Sequence, residues 1–152
     1  MQDQRRVNHA SIPKPATPKD RISHGEILLI LEAAHMMAHS HKEIHPKEES
    51  FLAQLAQAGK IQPAEFAEQF LGNQHYDWTV EEICHEIRST TAKKILILAL
   101  GAIAQVASPV DDNKVSLMEK FSYHLQVGSL NLSKFPPQEL VTRVFRLTEQ
   151  HR

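Results

Sequence analysis

Ser23-His-Gly-Glu-Ile-Leu-Leu-Ile-Leu-Glu-Ala-Ala-His-Met-Met-Ala38 decides how the rest of the chain is read. A serine followed three residues later by a glutamate forms a capping box, in which each side chain satisfies a backbone N–H at a helix start. Beyond it, Ile27, Leu28, Leu29, Ile30, Leu31, Met36 and Met37 cover nearly the whole circumference of a helix. A helix that is apolar all round has no face to give to water, so residues 24–38 are predicted to be central and buried. Its one polar strip is Glu32, His35 and His39, which share a side at about 100° per residue.

Residues 95–106 form a second, nearly all-apolar run. Ile, Leu and Val could also make a buried strand, but the length, the alanines and the lack of any second strand candidate decide for helix. Amphipathic helices fill the remainder. Pro46 opens one with Phe51, Leu52, Leu55 and Ala56 inward, and Gly59 ends it. Pro63 opens another through Phe66, Phe70 and Leu71, stopped by Gly72-Asn73. Thr79 caps a helix running to about Arg88, with Val80, Ile83, Cys84 and Ile87 as its stripe. Asp111-Asp112 and Pro136-Pro137 open the last two. No alternating strand pattern and no hairpin turn occurs. The expected fold class is all-α, a compact bundle of about seven helices.

Composition bounds the function. The 152 residues amount to about one domain, which can hold a core without disulfide or metal. Cys84 is the only cysteine, which excludes an internal disulfide and fits a reducing, cytoplasmic setting. A net charge of −1 draws the chain to neither nucleic acid nor an anionic membrane. Residues 95–107 are too few to span a bilayer, so no transmembrane segment is expected. Met1-Gln-Asp-Gln-Arg-Arg has no apolar core behind it, as a secretory signal would. Residues 1–22 read as a flexible, proline-containing basic arm with Arg5, Arg6, Lys14, Lys19 and Arg21, and residues 23–152 as the folded domain. The scattered glycines form no phosphate loop, and neither a Gly-x-Ser-x-Gly elbow nor a His-Glu-x-x-His helix is present. His75-Tyr76-Asp77-Trp78 makes a polar-aromatic turn whose tryptophan is expected to close one end of the core.

A weak internal repeat runs through the chain: a very apolar helix, a polar turn, then an amphipathic helix. Ser50-Phe51-Leu52 and Leu55 match Ser116-Leu117-Met118 and Phe121 at a constant offset. Such a duplication would set two helical hairpins face to face about a pseudo-twofold axis, with both apolar helices at the centre.

Ala38-His-Ser-His-Lys-Glu-Ile-His-Pro-Lys-Glu-Glu-Ser-Phe-Leu52 resembles the signature of the TerB-like family, named for a tellurite resistance protein. There an apolar helix precedes Ala-Asp-Gly-Glu-(Ile/Val)-x-Pro-x-Glu-Glu and two apolar residues. The similarity covers about residues 23–127, with the second unit a more degraded copy. It implies a pseudo-twofold bundle of about seven helices and acidic clusters proposed to bind divalent metal. The family's aspartate falls on His41, its glycine on Lys42 and its glutamate on Glu48. In the second unit the same positions hold Ser108, Pro109 and Lys114. Calcium and magnesium want oxygen ligands, so such a site is not expected here.

Ten histidines are the unusual count, and His35, His39, His41 and His45 crowd the first hairpin. Imidazoles four apart on a helix, joined by a carboxylate and a histidine from the next turn, suit zinc, nickel or iron. The candidate metal ligands are therefore Glu32, His35, His39, His41 and His45, with Glu48 added by the resemblance. The competing reading makes Glu32, His35 and His39 a hydrogen-bonded network and leaves His41 and His45 as solvated turn residues. Glu32-x-x-His35 and Glu82-x-x-His85 have the spacing of di-metal bundles, but two further inward glutamates are missing and Glu82-His85 points away from its helix's stripe. The expected function is a non-enzymatic TerB-like module in tellurite or stress resistance, acting by binding a protein partner (a homodimer included) or by sensing a metal ion. The alternatives are a metal-dependent enzyme using a His/Glu-bound transition metal, and an adaptor for an acidic partner working through the basic arm.

Overall fold

The computed structural model describes residues 21–39, 43–71, 77–107, 109–128 and 136–152. Seven helices lie among the described residues, and no strand: α1 (His24–Ala38), α2 (Pro46–Ala58), α3 (Pro63–Leu71), α4 (Val80–Glu86), α5 (Thr90–Gln105), α6 (Asp112–Leu125) and α7 (Pro137–His151). The bundle centres on α1 and α5, which pack on each other. α7 lies along α5 and α2, and α6 closes on α4 and α5. Ile27, Ile30, Leu31 and Met37 of α1 and Ile95, Leu96, Leu100 and Ile103 of α5 are fully buried. All-round apolarity is thus met by all-round burial. No helix among the described residues is long and apolar enough to cross a membrane.

Local chemistry sets the helix ends. Ser23 Oγ accepts from Glu26 N–H (3.0 Å), while Glu26 Oε1 accepts from Ser23 N–H (3.1 Å), completing the expected capping box. Thr79 and Glu82 close another at α4 (3.0 and 3.1 Å), and Asp111 caps α6 through Lys114 N–H (2.9 Å). Two bounds differ from the sequence reading. α4 ends at Glu86, because Ile87 turns extended and the N–H groups of Arg88 and Ser89 both go to Glu26 Oε2 (2.9 Å each). α5 then starts at Thr90 rather than Ile95, since Ser89 Oγ caps it through Ala92 N–H (3.0 Å).

Gly59 ends α2 as its C-cap, as the sequence predicts, and the left-handed residue that follows is Lys60, at φ 60°. Glycine is needed at 59 for contact, because a Cβ there would stand 2.6 Å from Ile27 Cγ2. The α2–α3 turn therefore lies directly on α1. Arg152 fastens this corner, its Nε donating to Gly59 O (2.6 Å) and its guanidinium to His24 Nδ1 (2.9 Å). Arginine only donates, so the His24 proton sits on Nε2, facing Glu65 Oε2 at 2.7 Å.

Ile22, placed by the sequence at the end of the arm, is buried in the core, and its N–H donates to His151 O (2.8 Å). Residues 1–20 lie outside the described residues. α2 and α6 follow the two buried helices in the same order, but helix order does not establish the internal duplication.

Candidate functional site

The polar strip of α1 packs against α3. Glu32 is buried, and its Oε1 accepts from Gln69 Nε2 (2.8 Å), which also donates to Leu28 O (3.2 Å). His35, half-buried, lies 4.8 Å from the Phe70 ring and 4.5 Å from the His39 ring, centre to centre. The structure thus brings Glu32, His35 and His39 to one side, as their spacing predicts, and adds Gln69. That partner is 37 residues away in sequence. Its only local sign is a place beside Phe66 and Phe70 on the inward side of α3.

His45 and Glu48 lie elsewhere, at the start of α2. His45 Nδ1 accepts from Lys47 N–H (3.0 Å), and Glu48 Oε1 accepts from His45 N–H (2.8 Å). Histidine is here the N-cap of a capping box, a role its usual chemistry hides from a sequence reading. Glu48 is fully buried, and its Oε2 has no hydrogen-bond partner among the described residues. His41 lies outside the described residues, as do Ser40 and Lys42. Among the described residues, no three His, Cys, Asp or Glu side chains converge as metal ligands. Lys114, at the position that the resemblance aligns with the second unit's glutamate, is buried and its ammonium donates to Ala104 O (2.8 Å). A protein cation already fills that corner, so a divalent ion does not fit it.

Elsewhere, Glu82 is used in its helix cap and His85 is exposed, so the second Glu-x-x-His pair forms no inward site. Trp78 packs, half-buried, at the edge of the core. Burial pushes the Cys84 thiol up to about 11 against the opposing pull of Lys93. The thiolate, which would be the nucleophile, is thereby disfavoured.

A groove of about 670 Å³ opens between α2, the end of α5 and the first half of α7. Its floor is apolar: Phe51, Val106, Val141 and Phe145, with the two phenylalanine rings stacked 5.4 Å apart. Ser50, Gln54, Gln105, Gln138 and Thr142 form an uncharged rim. Two of its amides are held in place, Gln54 by Ser50 Oγ (2.9 Å) and Gln105 by Gly101 O (3.0 Å). Among the described residues, Lys47 is the only titratable one in its lining. An adjoining cleft of about 420 Å³ shares Gln138 and Thr142 and adds Glu139, Arg143 and Arg146. The groove exists because α7 buries Leu140, Val144 and Thr148 while Val141 and Phe145, four apart, sit one step off that line. That doubled apolar edge is the signal a sequence reading could use. In comparison with known proteins, no family model, no curated protein and no solved structure matches this chain.

Proposed function

We propose that this chain is a non-enzymatic, TerB-like helical module of a stress or tellurite-resistance system, working by docking a protein partner in the groove of α2, α5 and α7. The groove's chemistry carries the reading. Its apolar floor and held amide rim offer area and shape, while acid–base or nucleophilic catalysis would need titratable groups that its lining lacks apart from Lys47. The resemblance over residues 38–52 supports the family assignment. A photo-crosslinking residue at Val141, in the protein expressed in its own host, tests the docking. The expected result is a discrete heavier adduct that a probe at exposed Tyr123 does not give. An adduct of twice the chain's mass would make the partner a second copy, and no adduct at Val141 would sink the proposal.

Metal-ion sensing is the second reading, favoured by the adjacent His35 and His39 rings with Glu32 one turn below. Zinc, nickel or iron(II) would take the two imidazoles and draw further donors from Glu32, His41 or the α2 corner. Calorimetric titration with these ions, and with calcium and magnesium, decides it. Binding should weaken in mild acid, where protons compete for imidazole nitrogen, and should vanish in His35→Ala/His39→Ala. Affinity no better than millimolar, or an unaffected double variant, removes this reading and the metal-dependent enzyme with it.

A further inference from the structure

We infer that the groove receives an acidic, amphipathic segment of a protein partner, its apolar side chains on Phe51 and Phe145 and its carboxylates against Lys47 and Arg146. The inference rests on the groove being a docking site and adds the chemistry of what docks. Among the described residues, Lys47, Arg143 and Arg146 line the groove and its adjoining cleft together with the carboxylate of Glu139. Glu49, two residues after Lys47 and so on another side of the helix, does not line the groove. The starts of α2 and α7 border it through Lys47 and Gln138 and the end of α5 through Gln105 and Val106, so the helix dipoles oppose one another and the side chains set its sign. A net positive flank beside an apolar floor selects a partner of the opposite sign, mainly through encounter rate and by rejecting wrong partners.

The same observation argues against the other occupants. The chain's own residues 1–21 carry Arg5, Arg6, Lys14, Lys19 and Arg21, of like sign to the flank. A second copy docked groove to groove would bring Lys47 and Arg146 against their own equivalents.

Selection of a random 12-residue phage-displayed peptide library on the full chain tests this. The expected winners carry net negative charge and at least two large apolar residues. A synthetic winner should lose roughly tenfold in affinity on Arg146→Glu, a change of about 1.4 kcal/mol. It should also weaken with added salt and fail on Phe145→Ala. Because Phe145 stacks on Phe51, the exposed rim variant Thr142→Trp blocks the groove without touching its floor and should abolish binding equally. Neutral or basic winners that Thr142→Trp blocks would overturn the charge assignment and leave the docking reading standing. Winners indifferent to Thr142→Trp, or no winners, would overturn the inference, while the Val141 crosslink judges the docking reading independently. Winners that bind only a chain lacking residues 1–20 would assign the groove to the arm instead.

Discussion

Burial drives the Glu26 carboxyl toward its protonated form, yet hydrogen bonds from the Ser89, Ser23 and Arg88 N–H groups and the Ser23 side chain hold its pKa below the ordinary 4.5. One oxygen caps α1 and the other ties down the link between α4 and α5, so the residue joins segments more than sixty positions apart. Because the folded pKa is the lower one, this stabilisation is complete above the unfolded value and fades as pH falls from about 4.5 through the folded value. Glu26→Gln should cost on the order of 1.5–3 kcal/mol at neutral pH, the range for hydrogen bonds to a charged group. It should also flatten that part of the acid limb. Urea titrations of both proteins at pH 7 and pH 3.5 check this, and an equal difference at the two pH values would contradict it. Gly59 answers to geometry instead. Gly59→Ala puts a methyl group 2.6 Å from Ile27 Cγ2 and should cost about 1–3 kcal/mol through overpacking, partly restored by Ile27→Val. An unchanged melting temperature would mean the α2–α3 turn shifts freely.

Helices carry the burial, α5 and α1 above the others. Ile97→Asp would place an uncompensated charge at a site only 6% exposed, at a cost on the order of 3 kcal/mol or more. A variant as stable as the parent would show that α5 is not the centre of the packing. Helix ends are legible where a cap is local: Ser23, Thr79 and Asp111 each stand immediately before the helix they start. They are illegible where the decisive partner is remote. The end of α4 depends on Glu26, and nothing near Ile87 announces it, whereas the start of α5 has a local sign in the Ser89 cap. The candidate site divides the same way. The side shared by Glu32, His35 and His39 follows from spacing within one helix. Gln69 holding Glu32, and the histidine cap at the start of α2, depend on contacts and local geometry that composition does not reveal. The groove needs three helices that only the fold brings together, so no single stretch of sequence contains it.

At the level of the whole molecule, the folded body begins at Ile22 rather than after it. Residues 1–20 lack the apolar area to offset an ordering cost of ~1–2 kcal/mol per residue. Their removal should shift the melting temperature by less than about 4 °C. Removal through Ile22 should cost clearly more, since a core side chain and its backbone bond to His151 go with it. A large loss from the shorter truncation would mean that the arm packs on the body. The Ile22–His151 bond has a topological consequence as well. Residues 22 and 151 are backbone neighbours, and Arg152 is fastened to Gly59 and His24 beside them. Spatially the polypeptide runs as a nearly closed ring, so a short peptide could splice residue 152 to residue 21 and new termini could be cut at an exposed turn, as in circular permutation. Fluorescent reporters attached at residues 21 and 152 would sit side by side while that ring is shut and separate when α7 lifts away, giving a direct optical gauge of its docking.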